Sequence, residues 1–174
     1  MGPLIPDNAS AENYYFESHP RAKELLNDKI FWQPGLENGP TRGDTGFDGL
    51  HDFWEWRPNN LNQSVLDFVR LQLHESYGLS RERIDQISNE VSMPFPEQLE
   101  YDSNLYDDYL LAVTFAQFMA EGCVESQLKK AALQVVKRQT DPSVVRRRYG
   151  ESNEPPYPEE FSKVVEALNQ MNIC

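Results

Sequence analysis

Apolar residues return every three to four positions through most of this chain, and no convincing two-residue alternation runs beyond four residues. That period belongs to helices. In LNQSVLDFVRLQLHESYG the positions Val65, Leu66, Val69 and Leu73 form one stripe with Phe68 beside it, and Gly78 is a suitable stop. In LSRERIDQISNEV, Ser80 is placed to cap a helix whose apolar side is Leu79, Ile84, Ile87 and Val91. Pro94 and Pro96 break MPFPEQLEY. In PPYPEEFSKVVEALNQM, the residues Phe161, Val164, Val165 and Leu168 predict a last amphipathic helix.

The run SNLYDDYLLAVTFAQFMAEGC departs from amphipathicity. Between Tyr109 and Ala120 only Thr114 and Gln117 are polar, and with Asp107 and Glu121 they fall on one narrow stripe. A helix apolar nearly all round must be buried by its neighbours. Gly122 ends it, and VESQLKKAALQVVKRQT starts another helix almost at once. The stretch from about Asn104 to Thr140 is therefore expected to be a central helical hairpin. Asp141-Pro142 then reads as N-cap and first position of a short helix ending in the Arg146–Arg148 run.

The first dozen residues are irregular. Pro20 suits the first turn of a helix running through RAKELLNDKIFW, and QPGLENGPTRGDTG has the composition of a long loop. The expected architecture is an all-α fold. It is one compact domain over 1–174 with about six to eight helices, a central buried hairpin, an irregular arm at 1–19 and a long loop at 33–45.

The stretch GDTGFDGLHDFWEWR carries the densest chemistry. The acids are spaced by four, which does not fit an EF-hand loop. His51 and Glu55 lie one helical turn apart and, with carboxylates of the preceding loop, form the candidate set for a metal-dependent enzyme. A capped helix explains the stretch with fewer assumptions. Thr45 and Asp48 resemble a capping box, the helix runs from about Gly46 to Arg57, and Pro58 stops it. Phe47, Leu50 and Trp54 form its inner face. Asp48, Asp52 and Glu55 form an acidic outer face, with Trp56 between the two as a candidate interface anchor.

Charge and cysteine content narrow the functions. The net charge of −12 disfavours nucleic acid as a partner, since phosphate binding needs Lys and Arg. It suits steering toward a basic protein. Seven acids and no bases lie between Met93 and Leu128, followed by seven bases and one acid from Lys129 to Arg148. These two blocks can pair within the fold, or the acids around Tyr101, Asp102, Asp107 and Asp108 can face a partner. Glu125 and Lys129 stand in favourable i, i+4 order. No apolar run is long enough to span a membrane, and no signal peptide is expected from MGPLIPDNAS. Cys123 and Cys174 form no CxxC, which suits two free thiols in a reducing cytoplasm, with Cys123 buried and inert. No GxSxG, P-loop or GxGxxG is present, and no cofactor, resident metal or catalytic residue is expected.

In size, acidity, aromatic–acid interleaving and lack of a catalytic signature, the chain resembles the small acidic antitoxin and immunity proteins of bacteria. The resemblance rests on physical type and carries over no residues. It implies a cytoplasmic, non-enzymatic inhibitor of a basic toxin, docking through Asp48, Asp52, Glu55, Trp56, Tyr101, Asp102, Asp107 and Asp108. The competing expectations are the metal-dependent enzyme and a regulatory or structural subunit, monomeric or homodimeric through exposed aromatics.

Overall fold

The computed structural model of the chain describes residues 15, 17–36, 39–92, 94–150 and 158–174. Among them are eight α-helices and no strand. They are α1 (Pro20–Leu25), α2 (Gly43–Trp56), α3 (Val65–Glu75) and α4 (Arg81–Asn89). After them come α5 (Glu100–Glu121), α6 (Ser126–Gln139), α7 (Pro142–Tyr149) and α8 (Pro158–Gln170). The all-α expectation and the upper end of the predicted helix number hold.

Helix α5 is the hub, packed by α1, α2, α3, α4 and α6. Every residue from Tyr109 to Met119 is buried. Aromatic layers bind the surrounding helices to it; Phe31 stacks on Phe115 with ring centroids 5.8 Å apart. The close crossing with α2 needs a residue without a side chain. A Cβ on Gly49 would sit 3.1 Å from the Tyr109 carbonyl oxygen, so glycine lets the two backbones approach.

The hairpin of α5 and α6 is present, with α5 beginning four residues earlier than expected, at Glu100. Gly122 closes α5 in the left-handed region at φ 70°. There it has a second constraint, because a Cβ would lie 2.2 Å from Nδ1 of His19. On the polar stripe of α5, Asp107, Thr114 and Gln117 are buried and Glu121 is half-buried, and each member is satisfied within the fold. Thr114 Oγ1 donates to the Leu110 carbonyl at 2.7 Å. Gln117 donates to Glu121 at 2.9 Å and accepts from the Glu125 amide at 2.9 Å. Asp107 pairs with Arg138, its Oδ2 accepting from Nε at 3.0 Å.

Several boundaries differ from the sequence reading. Helix α1 ends at Leu25; Asp28 then caps a separate 3-10 turn, Lys29–Phe31. Helix α2 begins at Gly43, with Arg42 rather than Thr45 as N-cap and no side-chain cap bond. Arg42 is positioned by its side chain, which reaches Asp108 at 2.8 Å, and the chain before it turns tightly enough for the Gly35 amide to bond the Thr41 carbonyl at 2.8 Å. The loop expected at 33–45 thus gives up its last residues to the helix. Val91 is 65 % exposed, because α4 stops at Asn89, two residues before it. The expected caps at Ser80 and at Asp141-Pro142 are in place. Most of the arm expected at 1–19 lies outside the described residues.

The cysteines correct the sequence reading outright. Cys123 and Cys174 form a disulfide, with Cα atoms 5.0 Å apart across 51 residues of sequence, and Cys123 is half-buried. Spacing alone gave no sign of it, because the partner lies in the C-terminal tail. That tail is seated beside the α5–α6 turn by the Val124 amide on the Asn172 carbonyl (2.8 Å) and the Cys174 amide on the Val124 carbonyl (3.1 Å). With the two cysteines paired, no free thiol among the described residues speaks for a reducing compartment.

Candidate functional site: the acidic face of α2

Four carboxylates, Asp44, Asp48, Asp52 and Glu55, lie on α2, which contains no Lys or Arg. The helix is oriented by its inner side, where Leu50, Phe53 and Trp54 are buried against the core. Phe53 belongs to this face although the spacing pointed to Phe47, which stays at the margin, its ring 4.7 Å from that of His51. Burial of the inner side fixes which acids face outward.

Tyrosines, not cations, hold the two middle acids. The Tyr77 hydroxyl donates to Asp48 Oδ2 at 3.0 Å, and the Tyr109 hydroxyl donates to Asp52 Oδ2 at 2.7 Å. The two rings meet edge to face with centroids 5.6 Å apart. Tyr77 reaches this place because the chain turns sharply after α3, where the Leu79 amide bonds the Leu73 carbonyl at 3.1 Å and His74 Nδ1 bonds the Leu79 carbonyl at 2.8 Å. Tyr109 arrives from the buried hub. A hydroxyl orients a carboxylate without cancelling its charge, so the face keeps its negative potential.

The titration behaviour follows from this crowding. Partial burial pushes the Asp52 carboxyl above the usual aspartate range; the Tyr109 bond opposes this, and the charges of Asp48 and Glu55 add to it. Burial, together with the adjacent carboxylates, raises both tyrosine hydroxyls far above their ordinary value. They stay protonated and act as fixed donors, poor as acids or nucleophiles.

The acids around Tyr101 to Asp108 have a different fate. Asp107 and Arg138 are both buried, with side chains 2 % and 3 % exposed. Burial raises the Asp107 carboxyl, while Arg138 opposes that by attraction and by hydrogen bonding. Asp108 bridges Arg42 at 2.7 Å and Arg148 at 2.8 Å. Asp102 pairs with Arg83 at 2.9 Å, and Glu100 with Arg147 at 2.5 Å. The acidic block therefore pairs largely with the basic block and with Arg42 and Arg83. Asp107 is inaccessible to any partner, and Asp102 and Asp108 are already engaged. Tyr101, at 78 % exposed, is the member of this patch that remains open.

Two other expected features take different partners. Glu125 does not pair with Lys129; it accepts from Ser64 Oγ at 2.9 Å and from the Val65 amide at 2.6 Å, closing the start of α3. Lys129 Nζ instead donates to the Asn169 and Met171 carbonyls at 3.1 and 2.6 Å, at the end of α8. Trp56 is half-buried rather than displayed. Its indole stacks on Phe68 with centroids 4.2 Å apart, and its edge lines a groove of about 280 Å³ with Gln63, Ser64, Asp67, Phe68 and Leu71.

The metal reading built on His51, Glu55 and loop carboxylates rests in part on Glu37, which lies outside the described residues. Among the described residues, the His, Cys and carboxylate groups close enough to share an ion are Glu121, Cys123 and Cys174, none of them on α2. Sequence reasoning missed Tyr77 and Tyr109 as partners of the acidic face. Tyr109 reads as the start of an apolar run, and only its hydroxyl, which needs an acceptor when buried, hinted at a polar neighbour. No helix among the described residues is long and apolar enough to cross a membrane. No protein-family model, curated protein or solved structure matches the chain.

Proposed function

We propose that the chain is a non-enzymatic binding protein whose α2 face docks a basic protein, an inhibitor of the immunity or antitoxin type that neutralises a basic toxin. The observation that supports this reading is the contrast in charge pairing. Acids on α5 find arginines, whereas Asp44, Asp48, Asp52 and Glu55 share a helix whose one basic side chain is His51 and which has no Lys or Arg, and tyrosine hydroxyls hold Asp48 and Asp52. Repulsion within such a cluster disfavours the folded state, and a cationic partner relieves it. The groove beside Trp56 and Leu71 adjoins the C-terminal end of this helix and offers a place for an apolar side chain of the partner.

The binding set is accordingly Asp48, Asp52, Glu55 and the groove edge of Trp56. Asp102, Asp107 and Asp108 drop out, since arginines already occupy them. Cytoplasmic residence, expected from the sequence, belongs to the dithiol form; the disulfide-closed form belongs to an oxidising compartment. The test is capture of a partner with the intact chain as bait, followed by amide-exchange footprinting of the purified complex. Protection confined to α2 and the 60–71 segment is the expected result. A footprint on α7 and α8 with α2 unprotected would refute the assignment.

A further inference from the structure

A second site lies at the α5–α6 turn, just past the C-terminal end of the acidic helix. The carboxylate of Glu121 and the sulfurs of Cys123 and Cys174 lie within 4.8 Å of one another. The disulfide is not the only thing holding them there. The tail is tied to the turn by the paired Val124–Asn172 and Cys174–Val124 backbone bonds, by Lys129 on the Asn169 and Met171 carbonyls, and by the buried side chain of Met171. Opening the disulfide therefore leaves two thiols side by side in a preformed frame. The Glu121 side chain is fixed as well: Arg57 Nε donates to Oε1, and Arg57 Nη2 and Gln117 Nε2 donate to Oε2. A carboxylate has about four lone-pair positions, and these three bonds leave one on Oε1 for a further partner.

We propose that the reduced chain binds one soft divalent cation, Zn2+ or a chemical equivalent, through Cys123, Cys174 and Glu121. A dithiol reductant opens the bond: it becomes a disulfide, and Cys123 and Cys174 each gain an electron and a proton. Metal binding then displaces both thiol protons, giving two thiolates. Two sulfurs each about 2.3 Å from zinc, with a carboxylate oxygen at about 2.0–2.2 Å, form three corners of a tetrahedron. Water reaches the fourth, because Cys174 is exposed. Two thiolates and Glu121 balance the charges of the ion and of Arg57. Arg57 and Gln117 act as the outer partners that orient a ligating carboxylate. Disulfide and metal are thus alternative occupants of one site, selected by thiol redox state.

The test uses the full chain, reduced with a dithiol and freed of reductant without oxygen. Co2+ is the probe, read by its thiolate charge-transfer absorption, and Zn2+ competition gives the affinity. Helix content is followed by circular dichroism in every sample. The proposal predicts one Co2+ per reduced chain and none in the oxidised chain. It also predicts loss of the absorption in Cys174→Ser and affinity reduced tenfold or more in Glu121→Gln. If the reduced chain loses helix content, one equivalent of Zn2+ should restore it. Reduced wild type that binds no metal, whether folded or unfolded, overturns the proposal. So does binding that Glu121→Gln leaves unchanged, since two thiols of a loose chain would then account for it.

Discussion

Asp52 links stability to the proposed docking surface. Its carboxyl is raised above the ordinary range by partial burial and by neighbouring negative charge. The folded chain therefore holds the Asp52 proton to higher pH than the unfolded chain does. Between the ordinary aspartate value and the raised one, folding stability falls as pH rises, and above that window the cost is fully present. Asp52→Asn keeps an oxygen acceptor for the Tyr109 hydroxyl and removes the charge. The variant is expected to be more stable than wild type at neutral pH, with the difference shrinking as pH falls through the Asp52 titration. Urea unfolding of both proteins from acidic to neutral pH checks this, and the same variant should bind a basic partner more weakly. Burial raises the Asp107 carboxyl too, but there an arginine opposes it. Its arginine is buried with it, and Arg138→Met would leave a carboxylate without a counter-ion inside the core. Such breakage costs roughly 3–5 kcal/mol, to be read in the same unfolding experiment at neutral pH. The roughly 100° between neighbouring helical positions already puts Asp107 and Asp108 on different faces, but which arginines meet them, Arg138 for one and Arg42 and Arg148 for the other, is set by how α5 packs.

Among the elements, α5 was the most legible and the N-terminal third the least. A run from Tyr109 to Ala120 with two polar residues has no surface to spare, so its burial follows from composition. Phe115 is fully buried and stacked on Phe31, and Phe115→Ala is expected to cost about 3–5 kcal/mol, read by denaturant titration; a loss below about 1 kcal/mol would contradict the packing. Caps that depend on one residue, Ser80 and Asp141, were readable for the same local reason. The start of α2 was not, because Arg42 takes its position from Asp108, 66 residues away. The disulfide was hidden likewise by the 51 residues between its cysteines. Closing a loop of that length restricts the unfolded chain by about 4 kcal/mol in the chain-entropy account. Cys123→Ser/Cys174→Ser should show a loss of that order relative to the oxidised protein in metal-free buffer.

For the whole molecule, the net charge of −12 is a sum over two kinds of acid. Those on α5 are largely consumed by the basic block and by Arg42 and Arg83, which is why the sequence's two-block charge pattern told of internal pairing and not of a docking surface. Those on α2 are not consumed, and the binding account stands on that difference. The most direct measurement is the association rate with a purified basic partner, at low and high salt, for three proteins. One is wild type. One carries Asp48→Asn, Asp52→Asn and Glu55→Gln. The third carries Glu159→Gln, Glu160→Gln and Glu166→Gln, which remove the same charge from α8. The account predicts that the α2 variant associates about tenfold or more slowly at low salt, with a flattened salt dependence, while the α8 variant stays close to wild type. Equal rates for the two variants, or an α2 variant indistinguishable from wild type, would contradict it and leave the α2 carboxylates as a solvated helix face.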